Sequence, residues 1–504
     1  MAKPWEPDAA GAAADATDAS GAADAGAASC AESLSDAERA RRRETERLGS
    51  DRIAPLVMRL SLPAMLGLLV AVLYQVVDQI FIGIYVGEFG LAAMTSVHPF
   101  TTLLFAFTIL LGRGAAVVYS LALGRRDYAE ARRVFSQAVF LQCAVSLALA
   151  AAGLCFLDPI LRGFGAPDAA LGNASAYMSI NLLGLPFAML RMNNHLIRSE
   201  GASTYAMMSE MAGAAANVLL DWLLMSGAIG LRMGVAGASL ATVMAQGIST
   251  AIVFAYFARR SVARFSPREC LPEWHNIRRV IANGATPFST HFVATMTWTV
   301  QNHTIKNFAL DSGHMIESAL AVFAISMKIH HLMITPILGL AMGMQPLVGY
   351  NIGARKYARV RKVFLMSLAT AAIAVLIPYA LLEAFARPVV SLFGLEGDSL
   401  TLGAHTLRRF LLLMPFGSMS ILFSHYFQGT GQARVALMLS LVRQLVLALP
   451  FMLIIPRFFG FNGIIFAFPA SEACGTIFAL WIMAREFKRL GARMREDDAL
   501  AAAA

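Results

Sequence analysis

The chain has 504 residues, 57% of them hydrophobic and 14% charged, with a formal net charge of +9 and a mean hydropathy of +0.61. A soluble domain carries about 25% charged residues, so a single core wrapped in a water-facing surface is excluded. Five cysteines, Cys30, Cys143, Cys155, Cys270 and Cys474, fall singly, which argues against a disulfide framework and against a CxxC metal site.

The first 50 residues are rich in Ala, Gly and Asp and hold no apolar run long enough for a signal-peptide core. Such a stretch cannot bury enough surface to fold, so residues 1–54 are expected to be a disordered cytosolic extension. Within it SDAE is a capping-box pattern, and Ser35 to Arg52 can form a short surface helix.

From about residue 55 to 486 the chain is a series of apolar stretches near 20 residues long, the length that crosses roughly 30 Å of hydrocarbon. Twelve are predicted, at 60–86, 93–122, 134–159, 173–195, 205–227, 235–258, 283–308, 317–343, 363–386, 405–427, 435–456 and 463–486. The segment LGRRDYAEARRVF at 123–135 returns as IGARKYARVRKVF at 352–364, identical at seven of thirteen positions. Pro63 pairs with Pro287, Gly114 with Gly343, Gly201 with Gly431 and Gly237 with Gly463 at nearly the same offset. The reading is an all-α membrane protein of two parallel six-helix repeats, the arrangement in which a substrate path runs between the halves. The lobes are expected at 55–258 and 283–486, with a cytoplasmic linker at 259–282 and a cytosolic tail at 487–504.

Arg and Lys set the orientation. The breaks after stretches 2, 6 and 8 hold Arg125, Arg126, Arg132 and Arg133, then Arg259 to Arg279, then Arg355 to Lys362, while the alternate breaks are nearly bare. Both termini are therefore expected in the cytoplasm. The positive charge reads as topology and contact with anionic lipid headgroups rather than as nucleic-acid binding.

Ionisable residues inside spans are costly and are functional candidates by default. Span 1 holds Asp78, with Gln75 one turn before it. Span 5 holds Asn217 and Asp221 four residues apart, with Glu210 on nearly the same stripe. These groups can hold a proton or a small cation; the alternative for Asp78 is a carboxylate satisfied by a neighbouring helix, and for Glu210 a solvated group near the cytoplasmic end. The repeat counterpart of Asp78 is Asn302, and those of Asn217 and Asp221 fall near Leu447 and Phe451. The second half embeds Lys306, Lys328, His425, Arg443 and Glu472 instead, some expected to form internal salt bridges, and the His330–His331 pair reads as packing. No HExxH, GxSxG or phosphate-loop motif occurs. An enzyme is not expected, nor a cofactor, and uphill transport must draw on a proton or sodium gradient.

The blocks IRSEG, NVLLD, GVAGASLATVMAQ, PILGLAMGMQPLVGYNIGARKYARVRK and FQGTGQARVALMLSLVRQ, in order across 55–486, resemble the multidrug and toxic compound extrusion (MATE) family. The Gln345–Pro346 pair and the LVRQ block look like its bacterial DinF-like branch. The resemblance implies a V-shaped twelve-helix antiporter of the inner membrane that expels organic, often cationic, compounds in exchange for protons or sodium ions. It assigns ion coupling to Asp78, Asn217 and Asp221 and adds Thr242 of span 6 to their network. Gln75, Asn302, Lys328, Gln345 and Arg443 are the candidates for the substrate cavity. Departures are Glu200 where an aspartate is common, and His98, His330 and His331. Small organic cations or amphiphiles and membrane lipids are the expected partners of a monomer, and a flippase for a lipid-linked sugar is the rival reading.

Overall fold

The computed structural model describes residues 36–503 except 87, 164–167, 227–231, 272, 312–315 and 392–396, and every regular element among them is helical. Span 1 is Ile53–Tyr85, span 2 Glu88–Gly124, span 3 Tyr128–Cys155, span 5 Ser203–Met225, span 6 Gly234–Arg259, span 7 Trp274–Asp311, span 8 Ile316–Gly353 and span 9 Tyr357–Ala384. Span 11 is Ala433–Gly460, with a π-helical turn at Val442–Ala448, and span 12 begins at Asn462. Spans 1, 2, 3, 6, 8, 9, 11 and 12 are each long and apolar enough to cross a membrane.

Spans 4 and 10 are broken. Span 4 comprises Asp168–Leu183, Leu185–Leu190 and Asn194–Ser199, and span 10 comprises Gly397–Leu411 and Met414–Gly429, bent by 43°. The main breaks fall at the same place in the two repeats, LLGLPF at 182–187 and LLLMPF at 411–416. In each, Pro186 or Pro415 stands in the first turn of the following piece, where its missing N–H costs nothing but the preceding helix cannot run through. Pro63, Pro99, Pro287, Pro336 and Pro346 lie inside helices that continue through them.

The duplication extends to the backbone. Arg126 and Arg355, counterparts in the repeated loop, are both left-handed, at φ 61° and 56°. Each closes its helix with the same pair of bonds, Arg126 N to Leu123 O and Asp127 N to Ala122 O, and Arg355 N to Ile352 O and Lys356 N to Asn351 O. A left-handed non-glycine costs about 1–2 kcal/mol, and both repeats keep it.

Three apolar cores define the shape. The largest joins the lobes, packing Leu123, Phe135 and Phe257 in one cluster with Leu347, Phe364 and Tyr426. A second lies wholly in the first lobe around Ile82, Val97 and Met178, and a third wholly in the second around Phe323, Phe410 and Ile464. The lobes thus meet at the end that carries the repeated loops and hold separate cores toward the other end, which makes the V. At the junction span 2 packs on span 7 and span 1 on span 8. Each pairing is the repeat image of the other, a pseudo-two-fold interface. Gly124 and Gly353 meet there: a Cβ on either would sit 2.9 Å from the other's Cα.

The expected disordered extension through residue 54 is shorter at its inner end. Residues 1–35 lie outside the described residues, but Asp36–Glu46 is a helix followed by a 3-10 turn, Arg47–Gly49. Leu48 is 1% exposed and belongs to the joint core. Asn351 donates to Leu48 O at 3.1 Å, Lys356 donates to Gly49 O at 2.9 Å, and Glu46 pairs with Arg126 at 3.1 Å. One apolar anchor and two captured carbonyls tie this strap to both lobes. At the other boundaries, span 7 begins inside the expected linker, and span 12 runs on as helix to Ala503 with Leu490 buried.

Candidate functional site

Span 5 packs against spans 1 and 6, which brings the candidate coupling residues into the first lobe's interior. Asp78 is 8% exposed, Asn217 2% and Asp221 0%. Asn217 and Asp221 lie one turn apart on one face of span 5, and Asn217 Nδ2 makes a long contact, 3.4 Å, with Thr242 Oγ1 of span 6. Oδ1 of Asp78, Oδ1 of Asn217 and both oxygens of Asp221 have no hydrogen-bond donor among the described residues. Asp78 and Asp221 are close enough to repel one another, and both act electrostatically on Tyr177 of span 4. Ser239 of span 6 fixes the Tyr177 carbonyl at 2.7 Å.

Burying two carboxylates without a cation is expensive. The arrangement is relieved when a proton or a small cation enters between them, and that relief is the chemistry it offers. The sequence put forward Asp78, Asn217, Asp221 and Thr242 as candidates, and the fold gathers them in one lobe; Tyr177 was not among them, because nothing in a tyrosine on an unmarked span distinguishes a site from ordinary packing.

The second lobe is different. Arg443, in the π-helical turn of span 11, donates to Glu472 of span 12 at 2.7 Å, with the two side chains 17% and 8% exposed. His330 is held edge-on between Phe410 and Phe468, at 5.9 and 5.0 Å between centroids, which agrees with the packing reading. The substrate-cavity candidates are spread out: Gln75 and Lys328 are exposed, Gln345 is half-buried against span 2, Arg443 is committed to Glu472, and the Asn302 side chain lies outside the described residues. Glu210 is not the solvated group of the alternative reading. Its Oε2 accepts from Arg198 at 3.0 Å and its Oε1 from Asn194 at 2.6 Å.

Glu200, in the turn after span 4, is 3% exposed and accepts from Tyr119, from Tyr256 at 2.8 Å and from Ser261 at 2.5 Å. Burial pushes its carboxyl up, and the three hydroxyls pull it partly back. Its repeat counterpart is Thr430.

A family model described as MatE matches the chain over residues 63–223 and 309–454, more than half its length and one stretch in each repeat. The chain belongs to the MatE family. It is therefore a multi-pass membrane transporter and not an enzyme. It is 24% identical to the multidrug export protein MepA of Staphylococcus haemolyticus over 429 residues, covering 85% of this chain and 92% of that protein. MepA of Staphylococcus aureus strain MSSA476 is 25% identical with the same coverage. Among solved structures, the outward-facing conformation of a multidrug resistance MATE family transporter of the MOP superfamily superposes with a TM-score of 0.80 at 24% identity, covering 89% of this chain and 98% of that one. A MATE in the straight conformation does so at 0.79 and 25%, covering 89% and 98%. These neighbours share the fold of two six-helix repeats.

Proposed function

We propose that this MatE-family protein is a secondary antiporter that exports small organic, often cationic, compounds across the bacterial inner membrane in exchange for protons, with sodium the alternative ion. The observation that carries the reading is the Asp78–Asp221 pair, buried in one lobe with three of its carboxylate oxygens lacking a hydrogen-bond partner among the described residues. The MepA relatives, named as multidrug export proteins, support the substrate class.

The loops at the joined end hold Arg125, Arg126, Arg132 and Arg133 and, in the second repeat, Arg355, Lys356, Arg359, Arg361 and Lys362. The positive-inside rule puts that end, and both termini, in the cytoplasm, so the cleft opens outward. In the cycle we infer, the anionic site favours a cationic compound taken from the cytoplasm. A proton arriving from outside neutralises Asp78 or Asp221, the compound leaves, and the protonated carrier returns. Asn217, against Thr242, orients the site, and Tyr177 lies within electrostatic reach of both carboxylates.

The test is efflux of a fluorescent organic cation from proteoliposomes with a pH gradient or a sodium gradient imposed alone. The proposal expects the pH gradient to suffice. Transport that follows sodium and ignores pH overturns proton coupling, and no transport under either gradient overturns the antiport reading.

A further inference from the structure

A second buried group of charges, distinct from the coupling site, is cationic. Arg113 lies within span 2, and Arg198 closes span 4 and is 2% exposed. They line a cavity of about 20 Å³ at the junction of the lobes, with His195 from the first lobe and Met342 and Gln345 of span 8 from the second.

The donors exceed the acceptors. Arg198 Nη2 is bonded to Glu210 at 3.0 Å, but its Nε and Nη1 have no acceptor among the described residues. Arg113 Nε has none either, and its Nη2 meets the Met342 sulfur at 3.9 Å, a weak acceptor. Both Glu210 oxygens are engaged, one by Arg198 and one by Asn194. Glu200, the other buried acid at this end of span 4, is surrounded by three hydroxyls. The remaining titratable groups that act on Arg113 or on its neighbour His195 are bases: Arg191, His291 and His425. Two guanidinium groups therefore share one carboxylate, which leaves a surplus positive charge shared between the fully buried Arg198 and the half-buried Arg113, a costly condition unless an anion meets it.

We propose that a halide-sized monovalent anion binds between Arg113 and Arg198. The cavity holds little more than a water-sized sphere, for which about 10–15 Å³ suffices, so it excludes an organic substrate and admits chloride. Guanidinium N–H groups give charge-assisted bonds to such an ion. Because the walls come from both lobes, the ion stabilises the joined state by mass action. When the lobes part, Arg113 and Arg198 hydrate and release it. The anion is thus a regulator of the conformational cycle rather than cargo, and its binding is independent of which cation drives transport.

The experiment is equilibrium binding of radiolabelled chloride to the full-length protein in lipid nanodiscs. Saturable binding of one ion per chain is expected, displaced by bromide and not by benzoate. Arg113→Gln weakens it at least tenfold, and Arg113→Lys, which keeps the charge but loses the fork, weakens it less. Exchange of chloride for gluconate at constant sodium lowers the melting temperature of the wild type and leaves that of Arg113→Gln unchanged. Wild-type protein with no saturable chloride binding overturns the proposal, whether or not a variant folds. So does displacement by benzoate as effective as by bromide, which would point to an organic carboxylate, or full affinity in folded Arg113→Gln.

Discussion

In the first lobe Asp78 and Asp221 are buried beside each other with no cationic partner among the described residues, while in the second Glu472 is bonded to Arg443 at 2.7 Å. The backbones around them are copies, down to the left-handed Arg126 and Arg355 and the breaks before Pro186 and Pro415. Duplication therefore preserved the mechanical frame and separated the chemistry. A compensated pair is a fixed charge pattern that braces its lobe, and an uncompensated pair changes charge whenever an ion enters or leaves.

The comparison breaks most sharply by neutralising one lobe at a time. Asp78→Asn and Asp221→Asn keep size and hydrogen-bonding capacity but remove a chargeable group, and each is expected to abolish ion-driven efflux at normal membrane abundance. Asn302→Ala, at the counterpart position, should leave most of it. Equal loss in all three, measured as dye efflux, would mean that the lobes are not asymmetric in coupling.

The next effect is on stability. Arg443→Met leaves Glu472 buried and unpaired, which costs about 3–5 kcal/mol, while Arg443→Met combined with Glu472→Leu recovers most of it. Thermal unfolding in detergent separates the two. A double variant as unstable as the single one would show that the pair is more than a brace.

Smaller effects distinguish Glu200 from Thr430. Glu200→Ala strands buried hydroxyls of Tyr119, Tyr256 and Ser261 at about 1–3 kcal/mol, whereas Thr430, whose hydroxyl donates to Phe427 O at 3.0 Å in its own turn, tolerates alanine with a smaller loss. The smallest effect is on pH dependence. Because the folded protein holds the Glu200 carboxyl above its ordinary value, the folded state binds more protons between the two values and stability falls as pH rises through that window. Glu200→Gln lacks this dependence, so its melting temperature should gain on the wild type as pH rises. A constant difference across pH would show that Glu200 does not titrate between the two states.

The sequence made the repeat, the spans and the first lobe's carboxylates legible, because apolar length and a charge inside it are strong local signals. Arg113 carries the same signal, a cation inside the apolar run ILLGRGAA. Tyr177 had no such mark, since its place beside the carboxylates comes from the first piece of span 4 packing against spans 2, 3 and 6. The strap's short helix was legible in the SDAE capping box, but its docking was not, because Leu48 is held by the joint core and by the Asn351 and Lys356 side chains some 300 residues away. Local pattern predicts spans well and cannot show which polar atoms the packed helices leave without partners.

The central claim is that compound and proton compete for the first lobe's carboxylates. The most direct measurement is proton release on adding an organic cation to purified protein in weakly buffered detergent solution, followed with a pH indicator. The account predicts acidification by the wild type and by the Arg443→Met/Glu472→Leu double variant, and none by Asp78→Asn or Asp221→Asn. Cation binding by the wild type without proton release, or undiminished release by Asp78→Asn, would contradict it.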